Sequence, residues 1–211
     1  MKPFDIITEA DARMLDVGSS VELAAGGLVT PLAQDTLRAR RVTVVAVGAL
    51  DPGLPSDLAP VADIRRVAIG SDHSGVALKN ALVQHLRGRG LAVTDVGTDG
   101  PDPVDYPDIA AAVGLSVVRK ESDAGIVIDG AGIGSAIAAN KIKGIRAAMC
   151  MDETTARYSR EHNGANVLTL GAALVPADAA QRIVEIWLST PMREARYIRR
   201  LIKIRRLEER P

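Results

Sequence analysis

One run of residues constrains the fold of this chain more than any other: Ala124-Gly-Ile-Val-Ile-Asp-Gly-Ala-Gly-Ile-Gly-Ser-Ala-Ile-Ala-Ala-Asn-Lys141. An apolar segment reads as a buried strand and stops at a carboxylate, Asp129. A turn rich in glycine follows, at Gly130, Gly132 and Gly134, and a helix of small residues begins. Glycine permits the tight turn and lets another group approach the backbone closely. The geometry sets backbone N–H groups and a helix N-terminus beside a titratable side chain, a place to hold an anion and move a proton. The same residues also read as a plain strand-to-helix connection with Asp129 as its local cap.

The run sits inside a longer alternation that starts at Arg65. Strands are expected at 67–70, 91–96, 124–128, 145–150 and 166–170. Helices are expected at 75–88, 107–120, 133–141, 152–162 and 176–189, with a basic tail over 193–210. Such alternation implies an α/β fold, a Rossmann-like parallel sheet with helices on both faces. Ligands of these sheets bind beyond the strand C-termini at a switch point, where Asp72, Asp129 and the 130–135 turn are expected to fall.

Residues 65–211 therefore form the main domain, 1–48 a small N-terminal extension, and 49–64 a linker marked by Pro52, Gly53, Pro55, Ser56 and Pro60. In the extension, Thr8-Glu-Ala-Asp11 has the form of a capping box, with Asp in place of Glu or Gln. Ile7, Ala10 and Met14 then fall on one helical face, Thr30-Pro31 reads as a helix start, and 42–47 reads as a strand. So short a segment holds few apolar groups for a core of its own. The strand 42–47 is expected to dock on the main domain or a partner, with the helix near 8–17 as a detachable, targeting element.

Composition removes several function classes. Lys+Arg and Asp+Glu balance at 26 each, which leaves no positive excess for nucleic acid. Aromatics make up 2% of the chain, so stacking platforms are scarce. The single cysteine, Cys150, excludes an internal disulfide and fits a reducing compartment. No apolar stretch approaches the ~20 residues of a membrane span. No signal-peptide core precedes the first domain, and a cytoplasmic location is expected. Gly130-Ala-Gly-Ile-Gly134 lacks the third glycine of a dinucleotide fingerprint, because Ser135 stands there. Neither a cofactor nor a metal is expected.

The polar residues that can carry chemistry fall in five places: Ser71-Asp-His-Ser-Gly75, Asp105-Tyr-Pro107, Asp129 with its turn, Arg160-Glu-His-Asn163, and the terminal arginines. His73 and His162 lie near element ends, while His85 is mid-helix and reads as a surface residue. Arg196 and Arg200 share a helical face at i,i+4 and suit a phosphate.

From about residue 66 to 206 the chain resembles the type B ribose-5-phosphate isomerase family, which includes the galactose-6-phosphate isomerase subunits. The resemblance rests on Ile69-Gly-Ser-Asp-His73, Val104-Asp-Tyr-Pro-Asp108, Gly130-Ala-Gly-Ile-Gly134, Ile137-Ala-Ala-Asn-Lys141, Gly144-Ile-Arg-Ala147, Arg160-Glu-His-Asn163, Asn166-Val-Leu168, Trp187-Leu188, and Arg196 with Arg200. It implies an aldose–ketose isomerisation of a phosphosugar, most simply ribose 5-phosphate to ribulose 5-phosphate, through a cis-enediolate. By resemblance His162 assists ring opening, with Asp72 and Tyr106 near the sugar hydroxyls. Backbone N–H groups of Gly130, Gly132, Gly134, Ser135 and their neighbours form the anion hole. His73, Arg196 and Arg200 hold the phosphate, and Asn163 lines the site with His162. The family shares its site across a dimer interface, which implies a homodimer or a dimer of dimers, and complementation between His162→Ala and Arg200→Ala subunits. Through Ile7-Thr-Glu9 and Thr30-Pro-Leu-Ala33 the leading module resembles N-terminal segments of some bacterial microcompartment enzymes, which implies a shell or cargo partner.

The chain departs from the family in its base. Many members carry a cysteine at the position of Asp129, others a glutamate at that of Ser135. A common threonine is replaced by Ala131, and a common arginine by Ala173. Carboxylates are credible bases for protons alpha to a carbonyl, so Asp129 is the candidate base. The alternatives are a phosphosugar-binding protein without turnover, or an isomerase of another tetrose, pentose or hexose phosphate. If the terminal arginines hold a phosphate in ground and transition states alike, Arg196→Ala and Arg200→Ala should raise KM and leave kcat nearly unchanged. Steady-state kinetics check this, and equal turnover of a phosphate-free sugar would contradict it.

Overall fold

The computed structural model describes residues 3–46, 58–61, 63–192 and 195–209, without the side chains of 25, 26, 46, 195 and 196. Most of the expected linker, Val47, Arg193, Arg210 and the Arg196 side chain lie outside the described residues. The chain divides into two compact units, Met1–Asp57 with Arg193–Arg199, and Leu58–Met192 with Arg200–Pro211.

The first unit runs β1 (Phe4–Ile7), α1 (Glu9–Met14), β2 (Ser20–Val29), α2 (Pro31–Ala39) and β3 (Thr43–Ala46). The strands form a parallel three-stranded sheet in the order β1-β2-β3. The capping box forms: Thr8 Oγ1 accepts the Asp11 N–H at 3.4 Å, and Asp11 Oδ2 accepts the Thr8 N–H at 2.9 Å. Thr30 caps α2 with Pro31 in its first turn.

Three expectations change here. Strand β3 pairs with β2 in this separate sheet, not with the main domain's strands. Ile7 belongs to β1, and the buried residue of α1 is Ala12, while Met14 is 87% exposed. The unit has its own core of Ile7, Ala12, Val21, Ala33, Leu37 and Val42. The long strand β2 was hidden because Ala24-Ala-Gly-Gly27 breaks its apolar pattern.

The second unit follows with β4 (Arg66–Ser71), α3 (Val76–Gly88), β5 (Ala92–Asp95), α4 (Tyr106–Val118), β6 (Ala124–Asp129), α5 (Ile133–Ala139), β7 (Ala147–Met149), α6 (Glu153–Glu161), β8 (Val167–Gly171), α7 (Ala177–Ser189) and α8 (Ala195–Glu208). Its five strands are all parallel, in the order β5-β4-β6-β8-β7. Right-handed crossovers then dictate the layers. The chain moves outward from β4 to β5 through α3, crosses back to β6 through α4, goes on to β7 through α5, and returns to β8 through α6. Residues from α3, α6 and α7 accordingly share one core with Val67, Ile69, Ile126, Ile128, Leu168 and Leu170. Residues from α4 and α5 share the other with Ala68, Val127 and Val167. The strand alternation of period two divides the two sets. Among the described residues no helix is long and apolar enough to cross a membrane.

A buried cation ties down the segment that leads to Tyr106. Lys79 of α3 has no exposed side-chain surface, and its Nζ donates to Asp95 Oδ2 at 2.6 Å and Asp99 Oδ1 at 2.7 Å. Burial acts to lower the Lys79 pKa, but the hydrogen bonds it donates to Asp95 and Asp99 outweigh it and hold the group above its ordinary value. Its stabilisation is thus complete below the unfolded value and is lost only as pH rises through the folded one.

Two outcomes follow. Deleting residues 1–17 removes β1 and α1, so it should unfold the first unit, seen as loss of amide-exchange protection in β2 and β3; unchanged protection would show that these elements are dispensable. Lys79→Met should cost roughly 1–3 kcal/mol in denaturant unfolding, the scale of hydrogen bonds to charged groups. That difference should stay level through neutral pH and shrink only in strong alkali; a penalty that vanishes near neutrality would contradict the clamp.

Candidate active site

The switch point of the five-stranded sheet lies between β4 and β6, where successive connections leave toward opposite faces. Two turns meet there. The first follows β4. The Asp72 N–H donates to the Ile128 carbonyl of β6 at 3.1 Å. Asp72 Oδ1 accepts the Ser74 N–H at 2.9 Å and the Ser74 hydroxyl at 2.5 Å, an Asx-type turn. Gly75 is required by close approach, since a Cβ there would stand 2.7 Å from Ile128 Cγ2.

The second turn follows β6. Asp129 is the last strand residue and is 4% exposed. Its Oδ1 accepts the N–H groups of Ala131, at 2.8 Å, and of Gly132. Its Oδ2 accepts the Ser135 N–H at 2.8 Å and the Ser135 hydroxyl at 2.5 Å. Gly132 has φ +76°, and a Cβ on it would stand 2.8 Å from the Leu170 carbonyl carbon. Thr169 Oγ1 fastens the turn from β8 by donating to the Gly132 carbonyl at 2.7 Å. A Cβ at Gly130 would lie 3.7 Å from Ser74 Oγ, so the two turns face each other. Tyr106, the first residue of α4, lays its ring on Gly134, where a Cβ would stand 2.6 Å from the ring.

This geometry revises the expected anion hole. The N–H groups of Ala131, Gly132 and Ser135 point at Asp129 instead of outward to a ligand. Ser135 is fully buried and contacts Asp129 through both of its donors. Gly132 is required for its backbone conformation. Asp72, Tyr106, Gly130, Gly134 and Asp129 are brought together. His73 stands at the exposed rim, where its Nδ1 accepts the Val104 N–H at 3.4 Å.

His162, Asn163 and Arg200 are placed elsewhere in the same chain. Helix α6 runs back from the end of β7 and stops before β8, so His162 and Asn163 lie at the N-terminal end of the sheet. Asp129 pairs with Gly171 at the opposite end of β8. The five residues of β8 separate those ends by about 13 Å. The His162 ring stacks on Tyr158 with centroids 4.5 Å apart and an 18° interplanar angle. Asn163 Nδ2 donates to the Tyr158 carbonyl at 3.0 Å. The second half of α8 packs at this end too. Leu201 Cδ1 would stand 2.8 Å from a Cβ on Gly164, and Glu208 accepts the Gly144 N–H at 3.2 Å. Arg200 precedes Leu201 on that helix. A cavity of about 410 Å³ opens there, lined in part by Arg146, Asn163, Ile204 and Leu207.

Arg160, grouped in the sequence with His162, serves packing. It is 1% exposed and donates to the carbonyls of Ala165 and Val61, each at 2.8 Å. Its guanidinium lies 4.8 Å from the Trp187 ring centroid. Burial, and then the nearby Arg146 charge, push its pKa down to about 10. Three residues in or near the site draw no role of their own from the sequence: Ser74, named only within the 71–75 cluster, Lys79 and Thr169. The Asp-x-Ser spacing signals the first as an Asx turn. A polar residue inside the apolar strand Val167-Leu-Thr-Leu-Gly171 signals the third. Lys79 gave no sequence signal, because its partners are distant in sequence.

Comparison with known proteins fits this arrangement. Residues 67–204 match the family model described as Ribose/Galactose Isomerase. The chain is 42% identical over 147 residues to ribose-5-phosphate isomerase B of Escherichia coli, covering 70% of this chain and 99% of that protein. It is 40% identical over 124 residues to D-erythrulose-4-phosphate isomerase of Pectobacterium atrosepticum, covering 58% of this chain and 81% of that protein. Among solved structures, Clostridium thermocellum ribose-5-phosphate isomerase B superposes with a TM-score of 0.68 at 46% identity, covering 68% of this chain and 97% of that one. With its parallel sheet, its two facing turns and these relatives, the chain belongs to the Ribose/Galactose Isomerase family and is a sugar-phosphate isomerase.

Proposed function

We propose that the chain interconverts ribose 5-phosphate and ribulose 5-phosphate through a cis-enediolate, with Asp129 as the base. The observation that carries this reading is a nearly buried carboxylate at the switch point, faced by the Asp72–Ser74 turn and flanked by Tyr106. In the proposed reaction Asp129 takes the C2 proton and returns it to C1. Asp72 Oδ1 is engaged by Ser74, which leaves Oδ2 as the oxygen to bind a sugar hydroxyl, while the Tyr106 hydroxyl lies over Gly134. With three turn N–H groups engaged by Asp129 and the Ser74 hydroxyl by Asp72, the enediolate oxygen falls to the N–H groups of Gly130 and Gly134 and to the Tyr106 hydroxyl.

Ring opening by His162 and phosphate binding by His73, Arg196 and Arg200 require groups from both ends of the sheet, which supports a homodimer in which each subunit completes the other's site. Ile133 and Ile137, exposed at i,i+4 on α5 beside the Asp129 turn, supply apolar surface for such a contact. Dimers can pair further into a dimer of dimers. The first unit exposes Ile6, Met14, Val17, Leu28 and Leu32, which supports a role in docking to a protein partner such as a microcompartment shell or its cargo inside the cytoplasm.

A coupled assay over aldose phosphates of four, five and six carbons tests the substrate, with ribose 5-phosphate expected to show the highest kcat/KM. A tetrose phosphate turned over faster would move the assignment to that relative's substrate class. Asp129→Asn should lower kcat by about two to four decades, the usual contribution of a positioned acid–base group. Unchanged turnover in a folded variant would remove Asp129 from the proton transfer.

A further inference from the structure

We propose that Ser135 is a positioning residue whose hydroxyl allows Asp129 to hold the substrate proton; this rests on the reading of Asp129 as the base. A carboxylate offers about four lone-pair positions in its plane. All four have donors here: Ala131 and Gly132 N–H on Oδ1, and the Ser135 N–H and hydroxyl on Oδ2. Proton uptake must therefore displace or reverse one of these bonds. The three backbone N–H groups can only donate. Their positions are fixed, with Gly132 wedged against Leu170 and held by Thr169. A proton arriving at Oδ1 would meet an N–H head-on.

The Ser135 hydroxyl is different, because it donates and accepts equally well and rotates about one bond. The C2–H bond of the open-chain aldose breaks, its electron pair forms the enediolate double bond, and the carbonyl π pair moves to oxygen. The proton goes to Asp129 Oδ2. The new O–H then donates to Ser135 Oγ, whose own hydrogen turns toward the Ala131 carbonyl four residues back, since the Gly132 carbonyl is taken by Thr169 Oγ1 and the Ala136 N–H. The hydrogen on O2 then passes to O1 across the cis-enediolate, an O2 lone pair forms the C2 carbonyl, the C1=C2 pair takes the proton back from Asp129 at C1, and the serine turns round again. No atom or electron is left over, and no co-reactant is needed.

Ser135 is fully buried and both of its donors end on Asp129, so it acts through that carboxylate and not on the sugar. This sets it apart from the substrate-binding role that the family resemblance implies. Losing it strands a protonated Asp129 among donors, so the loss falls on the proton-transfer step. Binding of the sugar is untouched.

The test compares wild type, Ser135→Ala, Ser135→Thr and Asp129→Asn with ribose 5-phosphate, or with the best substrate of the panel. For Ser135→Ala, kcat should fall by about tenfold to a hundredfold with KM within about twofold, the pattern of an interaction made only in the transition state. The primary isotope effect with C2-deuterated substrate should grow, because proton transfer becomes more rate-limiting. Ser135→Thr keeps the hydroxyl and should recover much of kcat. Its added methyl enters a buried site, so the isotope effect on Ser135→Ala decides the matter. A raised KM at constant kcat would make Ser135 a sugar ligand and overturn the proposal. Unchanged kcat in Ser135→Ala, with Asp129→Asn inactive, would overturn it while leaving the base in place. Full activity of Asp129→Asn would instead remove the base reading, whatever Ser135 does.

Discussion

A parallel sheet has two unlike ends, and this fact organises the second unit. All five strands point the same way, so every β-to-α turn opens at one end and every α-to-β return at the other. Right-handed crossovers fix which helices cover which face. The strand order then leaves one crevice, between β4 and β6, where neighbouring turns part. Asp72 and Asp129 stand at its two lips because the first follows β4 and the second ends β6. His162, Asn163 and the second half of α8 belong to the returns. No side-chain rotation brings them round a strand of about 13 Å. The proposed dimer answers that geometry: a second copy would supply the groups that one chain holds at its far end. His162 and Arg200 share an end, so in the proposed dimer a His162→Ala subunit and an Arg200→Ala subunit would carry defects on the same side of the site, and their mixture should restore nothing. The proposed dimer thus argues against the complementation that the family resemblance implies.

Small residues and a few buried polar anchors make the crevice tight. Gly75 lets the first turn lie on Ile128, and Gly134 admits the Tyr106 ring. Aromatic residues are scarce, so the core is filled by Ile126, Ile128, Leu168 and Leu170 around one tryptophan, Trp187. Truncating such a buried aliphatic side chain costs about 2–5 kcal/mol, much of a domain's net stability. Lys79 and Arg160 play a different part. Lys79 holds two carboxylates, and its charge is retained because they outweigh its burial. Arg160 has carbonyl partners and a tryptophan face, and burial depresses it. The first clamps the approach to Tyr106, and the second joins the end of α6 to the segment before β4.

The alternation of the main domain was legible because its strands are short apolar runs between glycine turns and its helices keep their period. Asp72 and Asp129 were legible as residues at strand ends, and the capping box at Thr8 as a local pattern. Other features depend on partners far along the chain. Nothing local says that Lys79 meets Asp95 and Asp99, or that Ser135 turns its hydroxyl to Asp129 instead of a ligand. The glycine turn was ambiguous for a physical reason: N–H groups that can cradle a bound anion can equally cradle the chain's own carboxylate. The first unit was underestimated because β2 is interrupted by alanine and glycine. Ile7 also sits in a strand that pairs with it, not in the following helix.

The central claim is that one active site needs both ends of the sheet, one from each subunit. It is tested most directly by mixing Asp129→Asn subunits with His162→Ala subunits after dissociation and reassembly. Each parent should be nearly inactive. In an isologous dimer, hybrids carry one site with both residues intact and one with neither, so random pairing should restore about a quarter of wild-type activity. No recovery after confirmed subunit exchange would contradict the account, because it would mean that Asp129 and His162 do not serve one site across two chains.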